Sequence, residues 1–172
     1  MEDKIINKVT NSVLKTIDLE ELYPSGERII FDITDWLFEG LILKEKDFRE
    51  QVKNHKWEQY KETYVALSCS ADAIIPSWAY LLLATRLQPY AKMVVVGDLV
   101  LLETVIFQRI INDLEVSEYK DAPVIIKGCA NKPIPQSAYT MLVSKLQNEA
   151  KSIMFGEACS TVPLFKKKYI VK

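Results

Sequence analysis

Three cysteines, Cys69, Cys129 and Cys159, are the residues with the widest chemical reach in this 172-residue chain. A thiolate is both a nucleophile and a soft-metal ligand, and it selects zinc or iron–sulfur iron over magnesium or calcium. Three converging thiolates leave a fourth position for Asp98, Glu157, Asp72, water or a substrate, as in an open zinc site. They equally fit three corners of a [4Fe–4S] cluster. No two are spaced C-x-x-C, so spacing alone does not define a centre. The plainer reading stands beside it: a free cysteine is often a small buried hydrophobe, and Asp98 is placed to cap a helix starting at Leu99.

Other chemistries find less support. The single histidine, His55, is expected at the end of a helix leading back into the first parallel strand, at the edge opposite the cysteines. That position disfavours a Cys-His or Ser-His-Asp pair, which needs the base within hydrogen-bond reach. It predicts a half-exposed packing residue beside Trp57 and Tyr60. There is no G-x-x-x-x-G-K-[ST] loop and no G-x-G-x-x-G turn, so no nucleotide is expected. Net charge is −1, with 22 basic against 23 acidic residues, which argues against nucleic acid as a partner. The polar start Met1-Glu2-Asp3-Lys4 and the short apolar run Met93–Leu102 predict neither a signal peptide nor a membrane span. An odd number of widely spaced cysteines points to a reducing cytoplasm.

The elements that must position these residues follow from periodicity. Ile5, Ile6, Val9, Val13 and Leu14 predict an amphipathic helix over 3–16. Ile29, Phe31 and Ile33 alternate, and Trp36–Leu43 is expected as their hairpin partner across a turn near Thr34-Asp35. Residues 45–55 read as a surface helix held by Phe48 and Val52. Beyond Tyr64 the pattern is regular: short apolar runs at Tyr64–Ser68, Met93–Val96, Val124–Ile126 and Ile153–Phe155 alternate with helices at Pro76–Gln88, Leu99–Leu114 and Pro135–Gln147. Unalternating strands separated by helices signal a parallel sheet covered on both faces. The stretch Val162–Lys172 is basic and partly apolar, and is expected as an edge strand or a surface tail. Lys166-Lys167-Lys168 reads as solvated.

The chain also repeats itself. Residues 76–98, PSWAYLLLATRLQPYAKMVVVGD, align without a gap onto 135–157, PQSAYTMLVSKLQNEAKSIMFGE, with nine of 23 positions identical. With one gap upstream, Cys69 matches Cys129. Each copy reads as strand, cysteine, loop, proline at helix position N1, helix, strand, glycine, acid. The expected fold is therefore α/β and three-layered, a mainly parallel sheet built from a duplicated β-α-β unit, with an N-terminal helix and β-hairpin. One domain is expected: 1–60 the N-terminal elements, 61–98 and 121–157 the duplicated units, 158–172 the basic tail. All parallel strands end on one side, and ligands bind outside those carboxyl ends. Cys69, Cys129, Cys159, Asp72, Asp98 and Glu157 would then share a rim.

Phe38-Glu39-Gly40-Leu41 with Glu45-Lys46-Asp47-Phe48-Arg49, then CSADAIIPSWAY, IKGC and KSIMFGEACSTVP, resemble a bacterial family known as domain of unknown function 2480. The likeness covers nearly the whole chain. It implies a cytoplasmic protein with no assigned activity, loosely associated with iron–sulfur assembly, and it supplies no catalytic residues. Two functions follow as expectations. The first is metal or iron–sulfur binding through the three cysteines, with a protein partner in iron–sulfur assembly. The second is a non-enzymatic interaction scaffold whose cysteines are buried and structural.

Overall fold

Short apolar runs form most of the strands here, and all but one of the strand pairs are parallel. The computed structural model describes residues 14–128, 131–157 and 159–167. Its strands are β1 (Lys15–Ile17), β2 (Arg28–Asp32), β3 (Tyr64–Ser68), β4 (Met93–Val96), β5 (Pro123–Ile126), β6 (Ser152–Glu157) and β7 (Ser160–Lys166). Its helices are α1 (Glu45–Asn54), α2 (Ser77–Leu87), α3 (Leu99–Asp113) and α4 (Gln136–Leu146). Among the described residues no helix is long and apolar enough to cross a membrane.

The strands form two sheets rather than one. The first runs β2-β3-β4, all parallel, with Phe31 opposite Leu67 and Val65 opposite Val94. The second runs β1-β5-β6-β7, parallel except for the antiparallel β6–β7 pair. The expectation of a single sheet fails because β5 takes its neighbour from the N-terminal segment, pairing Ile17 with Ile126, and not from β4. The chain divides accordingly into two compact units, Pro24–Ile106 and Met1–Tyr23 with Phe107–Lys172, the boundary falling inside α3.

Each unit has its own core. In the unit Pro24–Ile106, the α2 residues Ala79, Leu83 and Leu87, spaced four apart, are fully buried with Val65 and Leu67 of β3 and with Phe48 of α1. In the other unit, Ala138, Leu142 and Leu146 of α4 do the same with Val124 and Ile126 of β5 and with Phe107 of α3. Each buried leucine contributes about 1.5–3 kcal/mol relative to exposure.

Several elements depart from expectation. Lys15 and Thr16, placed by periodicity in a helix over 3–16, lie in strand β1, because pairing with β5 outweighs a weak local preference. Residues 3–13 of that expected helix lie outside the described residues. Trp36–Leu43 is not a hairpin partner. β2 pairs with β3 instead, and the chain leaves it through a 3-10 turn at Thr34–Trp36. A tight loop follows in which Phe38 bridges to Ile42 and Glu39 and Gly40 both take positive φ. Pro76 and Pro135 are the N-cap residues of α2 and α4, one place earlier than N1, each with extended backbone and a carbonyl accepting from residue i+3. The C-terminal segment does add an edge strand, β7, held by Lys167 N–H to the Lys151 carbonyl and an ion pair of Lys167 with Asp121.

Candidate functional site

The carboxyl ends of β2 and β3 gather the polar side chains of the unit Pro24–Ile106. Asp32 closes β2, and two residues on, Thr34 turns back over it. Asp32 Oδ1 accepts from the Thr34 N–H at 3.0 Å, the Thr34 hydroxyl at 2.7 Å and the Ser70 N–H at 3.1 Å. Thr34 Oγ1 in turn accepts from the N–H groups of Ser70 and Ala71, at 3.0 and 3.1 Å. A hydroxyl has one proton and two lone pairs, so Thr34 is fully used by these bonds. They tie the turn after β2 to the loop after β3.

Cys69 follows β3 directly. It is half-buried, packs against the aromatic and aliphatic core of its unit, and donates to the Ala71 carbonyl at 3.7 Å, with Thr34 Oγ1 also at 3.7 Å. Tyr80 of α2 is close enough to feel it: burial raises the phenol above its usual value, and the nearby Cys69 and Asp32 raise it further. Burial pushes the Asp32 carboxyl up, but the hydrogen bonds from Ser70 and Thr34 outweigh it and bring it down to about 2. A carboxylate so weakly basic is a poor proton acceptor at neutral pH. The arrangement suits a fixed, ionised hydrogen-bond hub better than acid–base chemistry.

The other unit has its own version at the ends of β1 and β5. Asp18 accepts from the Glu20 N–H at 2.9 Å and pairs with Lys127 Nζ at 2.9 Å, while Glu20 accepts from the Asn131 N–H. Burial opposes ionisation of Asp18, yet the bonds from Lys127 and the Glu20 backbone hold its carboxyl below the usual range. Lys127 is raised by the Asp18 bond and charge, with Glu157 and Glu21 adding to it.

The expected metal ligands divide between the units. Cys69, Asp72 and Asp98 belong to Pro24–Ile106, whereas Glu157 and Cys159 belong to the other unit. Cys129 lies outside the described residues. Asp72 is exposed in the loop after β3. Asp98 caps α3, its carboxylate accepting from the Leu101 N–H at 2.8 Å. Glu157 ends β6, and Cys159 is exposed in the β6–β7 turn. Among the described residues no three His, Cys, Asp or Glu side chains are grouped to hold one ion.

His55 sits where the sequence put it, at the C-terminus of α1. Its Nε2 is 2.9 Å from the Tyr60 hydroxyl, and the ring packs among Phe31, Trp36 and Trp57. Burial lowers its pKa. Three features were missed in the sequence: the Asp32–Thr34 hub, the Asp18–Lys127 pair, and a buried ion pair of Arg28 with Glu103 at 2.8 Å. For the first, Asp-x-Thr directly after an apolar run is a turn signature that was there to be found. The other two join residues more than 70 positions apart and leave no local trace.

A family model described as "Protein of unknown function (DUF2480)" matches residues 3–167. No curated protein and no solved structure matches the chain.

Proposed function

The chain belongs to that family, whose description names no activity, and we propose that it is a non-enzymatic binding scaffold made of two copies of one α-β-α-β unit, with Cys69 as a structural thiol. The observation that carries the duplication is a constant offset of 59 residues. The bounds of α4, Gln136 and Leu146, are those of α2, Ser77 and Leu87, moved by that number. The register Tyr64–Met93 between β3 and β4 becomes Pro123–Ser152 between β5 and β6. Glu62 and Asp121 both take positive φ, and their N–H groups bond to the carbonyls of Tyr90 and Glu149. Buried Phe48, Val52, Tyr60, Val65, Leu67, Ala79, Leu83 and Leu87 correspond to buried Phe107, Ile111, Tyr119, Val124, Ile126, Ala138, Leu142 and Leu146.

The offset makes the repeat longer than the helix-and-strand segment first legible, reaching from α1 through β4 and from the second half of α3 through β6. Each copy has an added parallel strand, with Asp32 after Phe31 and Asp18 after Ile17 in matching places, since Phe31 pairs with Leu67 and Ile17 with Ile126. It also places Cys129 opposite Ser70 and Cys69 opposite Gly128. The cysteines are then not a repeated ligand position, which removes the strongest reason for reading them as a set.

The scaffold reading rests on how the polar groups at the strand ends are used. Asp32, Thr34, Asp18 and Lys127 are engaged with one another and with local backbone, and the Cys69 thiol points its proton at a carbonyl. Elemental analysis and a visible spectrum of protein purified without oxygen test it. The expected sample is colourless, folded and free of stoichiometric zinc or iron, with Cys159 labelled fast by a thiol reagent and Cys69 labelled slowly. Stoichiometric metal released by Cys69→Ser would overturn the scaffold reading in favour of a metal centre.

A further inference from the structure

We propose that the outer edge of β4 is a docking site for an extended peptide segment of a partner protein, one that runs antiparallel to β4, is apolar at its centre and basic at its C-terminal end. The inference rests on the two-copy reading, because the matching strand β6 already carries such a segment from its own chain. β7 lies antiparallel along β6, pairing Ile153 with Phe165 and Glu157 with Ser160, and Leu164, at the register shift between them, lines an open cleft together with Tyr139, Val143 and Phe155. At its far end Lys167 donates to the Lys151 carbonyl and pairs with Asp121.

β4 has the equivalent groups without a strand beside it. It is an edge of its sheet among the described residues. Gly97 N–H donates to the Leu67 carbonyl, so alternation turns the N–H and C=O groups of Val94 and Val96 away from β3. Val96, the counterpart of Phe155, is 52% exposed, and Leu81 on the flanking α2 is 66% exposed. Val94 is partly buried, whereas its counterpart Ile153, under β7, is fully buried. Glu62 stands where Asp121 receives Lys167; it pairs with Lys92 at 3.5 Å, and its side chain is still 70% exposed.

Edge strands normally carry a device against casual pairing, such as a charge or a proline. β1 has Lys15, β2 has Arg28 and Asp32, and β7 has Pro163 and Lys166. β4 reads Met-Val-Val-Val, a short strand with neither a charge nor a proline. Strand addition by a short segment is a general recognition mode in which the backbone supplies affinity and alternate side chains supply specificity. The guarded edge of β7 argues against a second copy as the occupant.

The test uses the full chain and a synthetic peptide of its own residues 160–167, STVPLFKK, as the probe. The expected result is saturable shifts of the backbone amide resonances of Val94 and Val96 with slowed solvent exchange. Val96→Pro should weaken binding roughly three- to tenfold, the loss of one hydrogen bond, and Leu81→Asp should weaken it through the flank. Circular dichroism of each variant checks that the fold is kept. Absence of saturable change, changes confined to β6 and β7, or self-association of the chain through β4 would each overturn the proposal. The free chain separates this from the two-copy reading: amides related by the 59-residue offset, such as Val65 with Val124 and Leu67 with Ile126, rank alike in protection if the repeat holds. If they do not, the repeat reading itself fails; if they do and the peptide does not bind, only the docking proposal does.

Discussion

Half-buried Thr34 ties the turn after β2 to the loop after β3, since one hydroxyl donates to Asp32 and accepts from two backbone N–H groups of that loop. Thr34→Val keeps the shape and removes both functions. It is expected to cost about 1–3 kcal/mol, read as a lower urea midpoint at unchanged slope. Asp32 adds a pH dependence whose sign is fixed. Its folded value, about 2, lies below the ordinary 3.8, so its stabilisation is complete above the ordinary value and is lost as pH falls through the folded one. Asp32→Asn should flatten the stability profile between about pH 4 and pH 2. His55 acts at milder acidity. Burial lowers its pKa from 6.5, so stability declines as pH drops below 6.5 towards the folded value, and His55→Phe should remove that decline in a thermal-melt series. The role of His55 as a packing residue beside Trp57 and Tyr60 was readable in advance, because the aromatics cluster within six positions of it. At Thr34 the Asp-x-Thr turn was legible locally, whereas its bonds to Ser70 and Ala71, 36 and 37 residues away, were not.

At the scale of elements, β3 and β4 carry the bounds their apolar runs predicted, and α1, α2, α3 and α4 fall within a residue or two of theirs. Those segments have strong local patterns and neighbours close in sequence. β1 was misread, and β2, found as the expected strand, was given the wrong partner, for the opposite reason. β1 is three residues long and pairs with a strand more than 100 residues away, and β2 alternates like a hairpin strand although its partner is parallel. Parallel pairing leaves no turn signal to detect. The Arg28–Glu103 pair holds β2 to α3, with both side chains nearly buried. Glu103→Ala would remove the carboxylate facing the Arg28 guanidinium, which keeps its bonds to the Pro24 and Gly26 carbonyls, and should cost up to about 3–5 kcal/mol in chemical denaturation. Glu103→Gln, which keeps the volume, separates loss of charge from loss of packing.

For the whole molecule, the two-copy reading we propose has a repeat whose presence, but not whose extent, could be read in the sequence. Leucines and alanines on α2 and α4 advertise it, whereas Phe48 and Phe107 match within otherwise dissimilar helices and become recognisable as equivalents only once both are seen buried in their own cores. The expectation of a common rim for three sulfurs depended on one continuous sheet, and the switch of β5 to β1 removed that premise. Phe48→Ala and Phe107→Ala should each cost about 3–5 kcal/mol, and each should loosen amides of its own unit first. Residue-resolved hydrogen exchange of the native full-length chain addresses the two-copy scaffold most directly. Amides related by the 59-residue offset should rank alike in protection through the paired cores, and diverge where β7 covers Ile153 and Phe155 but nothing described covers Val94 and Val96. Protection that bears no relation to the offset would contradict the account.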